Sequence, residues 1–364
     1  MSECTIGGAR TRVLVVDDSA FMRIALARMI NCEPDLEVVA SASCGSCALE
    51  KINVLDPDVV TLDIAMPGLD GLTTLRCIMK EFPRPVIIVS ASTRKDADTT
   101  LAALSAGAFD YVPKQLDPAS LDITHIKSDL VARIRAAAQA RRNHGPLAHS
   151  RKPPKTGQLK DHRFVPVMTR EIVAIGVSTG GPKALEQILP RFPVDLPVPI
   201  VIVQHMPIGF TGPFAERLDA LCSIGVVEAA QGELIQSGIA YIAPAGTHMQ
   251  VSRRTSDSQL MVSLNSQARD ALHIPSIDVL MKSVAEVFHS RAMGVIMTGM
   301  GSDGAEGISA IFREGGLTIG QNEATCAVYG MPRACSELGV LSRMVPLLDI
   351  PKQIIQETRR RQPD

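Results

Sequence analysis

A serine in a glycine-rich turn is the first side chain in this sequence that could act as a nucleophile. Ser178 follows an apolar run and lies within Gly176-Val177-Ser178-Thr179-Gly180. This stretch fits the Gly-x-Ser-x-Gly pattern, in which small neighbours allow a sharp strand-to-helix turn that exposes the hydroxyl. Pro182 suits the first position of a helix, and the amphipathic segment Lys183–Leu189 follows it. A serine at this point could also cap that helix or contact a phosphate.

A base and a carboxylate follow two other apolar, strand-like segments. His205 comes after Val198–Val203, and Asp303 lies in a glycine-rich stretch after Ala292–Met297. Because the carboxyl ends of parallel strands share one edge of a sheet, these two side chains and Ser178 can meet there. The pattern predicts a triad in which the histidine removes the serine proton and the aspartate orients the imidazole.

Two alternatives remain open from the residues themselves. Another histidine could supply the base. His248 is the strongest alternative, and His273 and His289 are the others. The run Gly299-Met300-Gly301-Ser302-Asp303-Gly304 also spells Gly-x-Gly-x-x-Gly, with Glu323 downstream, which is typical of dinucleotide binding. Two points argue against a nucleotide-dependent oxidoreductase. The dinucleotide motif normally follows the first strand of its domain, whereas this one comes late, and the loop after the first strand here has Ser178 in place of the second glycine.

The N-terminal half carries a second group of polar side chains at predicted strand ends. Residues 12–113 alternate strand-like and helix-like segments, which favours a doubly wound parallel sheet. Five polar residues close its strands: Asp17, Asp18, Asp63, Ser90 and Lys114. Three carboxylates form a ligand set that suits Mg²⁺, and the lysine and hydroxyl could hold phosphoryl oxygens. Any one of the aspartates taken alone could instead cap a helix.

Residues 11–142 resemble the receiver domain of two-component response regulators. The matching segments are Val15-Val16-Asp17-Asp18-Ser19 and Leu62-Asp63-Ile64-Ala65-Met66-Pro67-Gly68-Leu69-Asp70-Gly71. The resemblance implies that Asp63 accepts a phosphoryl group and, with Asp17 and Asp18, holds Mg²⁺. It also implies that Lys114 and Ser90 contact the phosphoryl group and that Tyr111 is the aromatic switch residue.

One position departs from the receiver pattern. Gln115 follows Lys114 where receivers usually have a proline with a cis bond. A cis bond before a residue other than proline costs about 2.5–4 kcal/mol. We therefore expect either a trans bond with a shifted loop or a strained cis bond at this point.

Composition and segmentation limit the classes of protein. A formal net charge of −1 over 364 residues argues against nucleic-acid binding, and the apolar runs are too short for a membrane span. Residues 143–164 are basic, contain proline and glycine, and lack apolar periodicity, which predicts an extended linker. We see no signal peptide and expect a cytoplasmic protein whose eight cysteines are free thiols. Cys44 and Cys47 have redox spacing, but the preferred interpretation is two ordinary cysteines at a helix start.

Residues 172–350 resemble the catalytic domain of chemotaxis protein-glutamate methylesterases. The resemblance rests on these segments: Gly176-Val177-Ser178-Thr179-Gly180-Gly181, Gln204-His205-Met206-Pro207, Phe214-Ala215-Glu216-Arg217-Leu218, Pro275-Ser276-Ile277-Asp278-Val279-Leu280, Thr298-Gly299-Met300-Gly301-Ser302-Asp303-Gly304 and Gln321-Asn322-Glu323-Ala324. It departs from the family at Ala245-Gly246-Thr247 and Ile274, where glycine-led and basic residues are expected. The resemblance implies two doubly wound parallel-sheet domains, a flavodoxin-like receiver (11–142) and a Rossmann-like methylesterase domain (165–358), joined by the linker.

The resemblance also implies an activity and its control. The expected reaction is hydrolysis of γ-glutamyl methyl esters on chemoreceptors with release of methanol, without a cofactor in the esterase domain. Some family members also deamidate glutamines. The Met300 amide is the oxyanion donor implied by the family, and the Thr179 amide is a second candidate because it follows the nucleophile. A chemotaxis histidine kinase would phosphorylate Asp63, and the unphosphorylated receiver would obstruct the Ser178 crevice of a monomer. The remaining alternative is a response regulator without enzymatic output.

Overall fold

The computed structural model describes residues 10–90, 94–114, 123–144, 170–266 and 273–359. The chain divides into two compact units, and the division lies between residues 155 and 156. Most of the predicted linker and Gln115 lie outside the described residues, so the predictions made for them remain predictions. Within the described ranges, no helix is both long and apolar enough to cross a membrane.

The first unit is a five-stranded parallel sheet with helices between successive strands. Its strands are β1 (Thr11–Val16), β2 (Leu36–Ala42), β3 (Val59–Asp63), β4 (Val86–Ser90) and β5 (Asp110–Pro113). Its helices are α1 (Ala20–Asn31), α2 (Gly45–Leu55), α3 (Gly71–Glu81), α4 (Arg94–Ser105) and α5 (Ile123–His144). The strand order is β2-β1-β3-β4-β5, which confirms the predicted doubly wound fold. All residues of β3 and β4 are buried, as expected for strands covered on both faces.

Helix starts fix the loops at the carboxyl edge of this sheet. Ser19 caps α1 by accepting a hydrogen bond from the Met22 amide, and Asp70 caps α3 through the Thr73 amide. Gly71 lets α3 begin directly against β3, because a Cβ there would lie 2.1 Å from the carbonyl oxygen of Asp63. The segment after Asp63 is therefore held in place by backbone contact with the first turn of α3.

The second unit is a seven-stranded parallel sheet. Its strands are β6 (Ile172–Val177), β7 (Ile200–Gln204), β8 (Gly225–Glu228), β9 (Ile239–Ile242), β12 (Ala292–Ile296), β13 (Leu317–Gln321) and β14 (Arg343–Val345). Its helices are α6 (Gly181–Ile188), α7 (Thr211–Asp219), α8 (Ile277–Phe288), α9 (Ala305–Arg313), α10 (Met331–Glu337) and α11 (Ile350–Thr358). The order β14-β13-β12-β6-β7-β9-β8 places β7 on one side of β6 and β12 on the other. Such a reversal of strand order creates a crevice at the carboxyl ends, where ligands bind in α/β proteins.

An antiparallel hairpin, β10 (His248–Arg253) with β11 (Leu260–Asn265), lies outside this sheet. The sequence analysis did not identify it. Its buried side chains, among them Met249 and Val262, belong to the same hydrophobic core as Leu280 and Val284 of α8. The hairpin therefore supports α8, whose first turn contributes to the site described next.

Candidate active site

The turn after β6 holds Ser178 at the centre of the crevice. The Ser178 amide donates to the carbonyl oxygen of Thr298 (3.0 Å), and its own carbonyl accepts from the Gly181 amide (2.7 Å). Gly180 has φ of +74°, and a Cβ at this position would lie 2.5 Å from the Cβ of Ala327. The turn therefore requires glycine both for its backbone angle and for its close approach to a neighbouring loop. The side chain of Ser178 is half-buried and accessible from the crevice.

The structure brings the three residues of the predicted triad together. His205 Nδ1 lies 3.2 Å from Ser178 Oγ, and His205 Nε2 lies 2.8 Å from Asp303 Oδ2. Because an ionised carboxylate only accepts, Nε2 carries the proton and Nδ1 is left to accept the serine proton. The imidazole therefore has the tautomer that a general base requires.

The start of α8 and its N-cap residue Ser276 also hold the carboxylate of Asp303. Asp303 Oδ2 accepts from the Ile277 amide (2.8 Å), and Oδ1 accepts from the Asp278 amide (3.1 Å) and from Ser276 Oγ (2.9 Å). Burial alone would raise the pKa of Asp303, but the hydrogen bond and charge of His205 together with the two amides lower it. Asp303 therefore remains ionised well into the acid range. When the pH falls, protonation of Asp303 is not the first event that inactivates the site.

Gln204, the last residue of β7, holds the nucleophile turn and the base turn together. It is buried, and its Nε2 donates to the carbonyl oxygens of both Ser178 (3.1 Å) and His205 (2.9 Å). Gly181 makes room for this amide, because a Cβ there would lie 1.9 Å from Gln204 Oε1. The sequence analysis quoted Gln204 and Ser276 inside family motifs but assigned neither a role. A polar side chain at the end of an otherwise apolar strand was the available signal for Gln204.

Replacing Gln204 with leucine should lower both stability and kcat. The substitution removes two hydrogen bonds and leaves the carbonyl oxygen of His205 unpaired, while that of Ser178 keeps the Gly181 amide, and we expect a cost of about 2–3 kcal/mol of unfolding free energy. Misplacement of Ser178 relative to His205 should lower kcat by roughly 10²-fold, with a smaller change in KM. Thermal unfolding and steady-state ester hydrolysis would measure the two effects.

A matched control for that substitution is Thr318→Val in β13. Thr318 is also buried, and its hydroxyl donates to the carbonyl oxygen of Val340 (2.7 Å). We expect this variant to lose a comparable stability while keeping kcat, since its hydrogen bonds connect β13 to the loop before β14. Equal losses of kcat in the two variants would show that Gln204 stabilises the fold but does not position Ser178 relative to His205.

Two backbone amides near Ser178 remain available to bind an oxyanion. The N–H groups of Thr179 and Met300 donate to no other group among the described residues. Ser178 cannot contribute its own amide, because that group already donates to Thr298. Gly299 packs closely here, since a Cβ would lie 2.8 Å from the Cβ of Ser178. Gly299 thus permits close contact with the serine turn, while Gly301 and Gly304 have positive φ values of +83° and +96°, so turn geometry accounts for these glycines without a dinucleotide.

The alternative histidines occupy other positions. His248 is buried, and its Nδ1 accepts a hydrogen bond from the Ser276 amide (3.1 Å). The ring of His273 stacks on that of His205 with centroids 4.3 Å apart. His289 is exposed and its Nδ1 lies 2.8 Å from Glu314 Oε2. Of the four histidines considered, only His205 is recorded in a hydrogen bond with Ser178 or Asp303 in the described part of the chain.

The first unit has a separate cluster of charged groups at the carboxyl edge of its sheet. Carboxylate oxygens of Asp17, Asp18 and Asp63 all lie within 4.8 Å of one another. Lys114 Nζ lies 2.8 Å from Asp17 Oδ2 and 2.8 Å from Asp63 Oδ2. Burial raises the pKa of Asp63 although the Lys114 ammonium opposes the shift. Burial alone would lower the pKa of Lys114, but its bonds to the two carboxylates raise it, so the ammonium form is retained.

This cluster fits a hard divalent cation. Asp17 Oδ2 is buried, and the Lys114 ammonium at 2.8 Å is the contact that the described residues offer it, which leaves lone pairs for a cation. Oxygen-only ligands with one exposed carboxylate, Asp18, suit Mg²⁺, which keeps several of its waters. Ser90 closes β4 and is buried. The side chain of Tyr111 is also buried, which raises the pKa of its hydroxyl.

The cysteine prediction needs a correction. The sequence analysis expected free thiols, whereas the structure pairs Cys44 with Cys47 at the start of α2. The other described cysteines are free: Cys32, Cys77, Cys222, Cys326 and Cys335. The spacing of Cys44 and Cys47 fits a disulfide because the first residue precedes the helix with an extended backbone, which turns its side chain toward the third helical residue.

Comparison with known proteins identifies relatives of both units. Residues 173–354 match the CheB methylesterase family, and residues 13–125 match the response regulator receiver domain. A protein-glutamate methylesterase/protein-glutamine glutaminase 2 of Nitratidesulfovibrio vulgaris is 46% identical over 94% of this chain and 98% of its own length. A protein of the same activity name from Pyrococcus horikoshii is 43% identical over 96% of this chain and 94% of its own. The crystal structure of the Thermotoga maritima CheB methylesterase catalytic domain is 37% identical, with a TM-score of 0.50, and covers 52% of this chain and 98% of that one.

Proposed function

This chain belongs to the family of CheB methylesterases with a response regulator receiver domain, and we propose that it hydrolyses γ-glutamyl methyl esters of chemotaxis receptors. The observation that carries the proposal is the hydrogen-bonded chain from Ser178 through His205 to Asp303. The alternatives of an oxidoreductase and of a regulator without enzymatic output are not favoured, since the methylesterase family match covers residues 173–354, which contain Ser178, His205 and Asp303. Such receptors present their methylated helices in the cytoplasm, where we expect the protein to act.

The geometry supports an acyl-enzyme mechanism. Ser178 Oγ attacks the ester carbonyl while His205 Nδ1 accepts its proton, and the negative charge moves onto the carbonyl oxygen. The free amides of Thr179 and Met300 are the donors for that oxyanion. The imidazolium, stabilised by Asp303, returns the proton to the departing methoxide, which leaves as methanol. Water then attacks the acyl-serine by the same route and releases the glutamate side chain.

The same groups support deamidation of receptor glutamines. An amide nitrogen is a poorer leaving group than methoxide, so it must be protonated as its bond to carbon breaks. The His205 imidazolium is placed to supply that proton, because its Nδ1 faces Ser178 and the leaving group departs from the carbon that the serine attacks. The product is again an acyl-serine, with ammonia released in place of methanol.

The first unit supplies a phosphorylation switch for this activity. We propose Asp63 as the phosphoacceptor, a chemotaxis histidine kinase as the donor, and Asp17, Asp18 and Asp63 as the ligands of Mg²⁺. When bound, the ion neutralises charge on the transferring phosphoryl group. Lys114, which already contacts Asp17 and Asp63, pairs with the phosphoryl oxygens, and Ser90 and Tyr111 transmit the change.

Asp63→Asn should remove the response to a phosphodonor without changing basal hydrolysis. With Mg²⁺ and acetyl phosphate, the wild type should release labelled methanol from a methylated receptor faster than it does without the donor. The variant should show one rate in both conditions, because an amide cannot accept the phosphoryl group. Asp35→Asn is the matched control, since that exposed carboxylate pairs with Arg135 and should leave the response intact. An undiminished response in Asp63→Asn would refute the assignment of Asp63 as the phosphoacceptor. If the wild type released no methanol in either condition, the proposed esterase activity would be refuted instead.

A further inference from the structure

Two cysteines at the start of α2 have no part in the proposed esterase or in the phosphorylation site. Cys44 is the N-cap residue of α2, with φ −156° and ψ 162°. Its sulfur accepts a hydrogen bond from the Cys47 amide (3.3 Å), and the two Cα atoms are 5.4 Å apart. This separation lies inside the range of about 4.4–6.8 Å that natural disulfides span. The backbone of the first turn therefore already has the geometry that a Cys44–Cys47 bond requires.

Accessibility sets this pair apart from the two buried cysteines among the described residues, Cys326 and Cys335. Cys44 and Cys47 are half-buried, so a small reagent can reach them from solvent. Burial raises the pKa of Cys326 to about 12 and that of Cys335 to about 12, which keeps both as unreactive thiols. Cys32 is the exposed residue that follows α1 and is free among the described cysteines, so it serves as an internal comparison.

The chemistry at a helix start favours exchange at Cys44. The Cys47 N–H points at the Cys44 sulfur, and the free amides of a helix N-terminus stabilise negative charge. Charge develops on that sulfur both when it attacks a disulfide and when it leaves one. The neighbouring Cys47 thiol can then attack Cys44 without any rearrangement of the backbone, because the Cα separation is already suitable.

The pair is held firmly at the same sheet edge as the phosphorylation site. The Asp17 amide donates to the carbonyl oxygen of Ala42 (3.1 Å), two residues before Cys44. Gly45 packs so closely that a Cβ would lie 2.1 Å from Thr74 Oγ1 of α3. A bond between Cys44 and Cys47 would therefore fix a turn that abuts the helix following Asp63.

We propose that Cys44 and Cys47 form a reversible thiol–disulfide exchange site for low-molecular-weight disulfides. The Cys44 thiolate attacks a disulfide RSSR, forms a mixed disulfide and expels one RS⁻. The deprotonated Cys47 then attacks the Cys44 sulfur, closes the protein disulfide and expels the second RS⁻, and the two protons released by the cysteines go to the two thiolates. One protein dithiol is oxidised by two electrons and one RSSR is reduced to two RSH, and excess RSH reverses the reaction.

A metal site is the competing use of two cysteines at this spacing. Zinc requires four ligands, and thiolate sites usually draw them from two such pairs. The sole group of potential metal ligands in the described part of the chain is Asp17, Asp18 and Asp63. The two sulfurs therefore lack the partners that a structural zinc site would need.

The test is alkylation and mass spectrometry of the full-length protein after incubation with oxidised glutathione. In the wild type, Cys44 and Cys47 should lose alkylation together, with a mass decrease of two hydrogens and no glutathione retained at either residue. Cys44 and Cys47 should become resistant to alkylation roughly tenfold faster than Cys32 forms its glutathione adduct. Excess reduced glutathione should restore both thiols.

Single variants separate exchange from simple surface oxidation. Serine is a good N-cap, so Cys44→Ser should fold, and Cys47→Ser should trap glutathione on Cys44 because the resolving thiol is gone. The proposal is overturned if wild-type Cys44 also accumulates the adduct, or if both cysteines stay alkylatable after Cys32 has reacted. Capture of zinc by the reduced protein with loss of both reactive thiols would overturn it in favour of a metal site.

Discussion

Ser178→Ala should abolish ester hydrolysis, with kcat reduced by about 10⁶-fold, as in serine hydrolases that lose the nucleophile. The alanine variant retains His205, Asp303 and the amides of Thr179 and Met300, but no acyl-enzyme can form. We expect any residual rate to reflect water attack on an ester polarised by those amides. The measurement is single-turnover release of methanol from a peptide that carries a γ-glutamyl methyl ester.

The matched control for this substitution is Ser302→Ala. Ser302 is an exposed serine in the loop that carries Asp303, so the control removes a nearby hydroxyl without touching the proposed nucleophile. The control should keep the wild-type rate. A kcat within tenfold of wild type in Ser178→Ala would require a different nucleophile or direct hydrolysis by water.

Asp303→Asn should lower kcat by about 10⁴-fold, which corresponds to roughly 5.5 kcal/mol of transition-state stabilisation. His205 Nε2 now donates to Asp303 Oδ2, but the amide nitrogen of asparagine would present a donor to the same atom. To accept it, the imidazole would have to move its proton to Nδ1, which then could not receive the proton of Ser178. The variant also removes the charge that stabilises the imidazolium.

The neighbouring Asp278 provides the control for Asp303→Asn. Asp278 is also partly buried, and its Oδ1 accepts the Gly307 amide (2.7 Å), a bond that the oxygen of asparagine can keep. Asp278→Asn should therefore fold and hydrolyse esters at close to the wild-type rate. Similar losses in the two variants would indicate a general requirement for negative charge at the start of α8, and would argue against a specific tautomer effect.

Much of the site was predictable because it depends on strand ends. Buried strands have a clear apolar pattern, and in a parallel sheet their carboxyl ends share one edge, so the sequence predicts that Ser178, His205 and Asp303 lie together. The same rule grouped Asp17, Asp63 and Lys114, which the structure finds within ion-pair distance.

The supporting contacts were not predictable in the same way. Gln204 bonds to two backbone carbonyls that meet only in the folded turn, so neither composition nor periodicity contains that information. Ser276 is a helix cap by pattern, but its hydroxyl also donates to Asp303, which lies in the loop after β12. The Cys44–Cys47 pair was visible as a spacing, yet neither composition nor periodicity shows that the extended backbone of the N-cap residue brings the two cysteines close together.

The most direct test of the account is release of labelled methanol from an intact, methyl-labelled receptor by the wild type and by Ser178→Ala, each with and without acetyl phosphate and Mg²⁺. The account predicts release by the wild type, faster release with the phosphodonor, and none above background from Ser178→Ala in either condition. Release by Ser178→Ala at a rate comparable to the wild type would contradict the claim that Ser178 is the nucleophile of a receptor methylesterase.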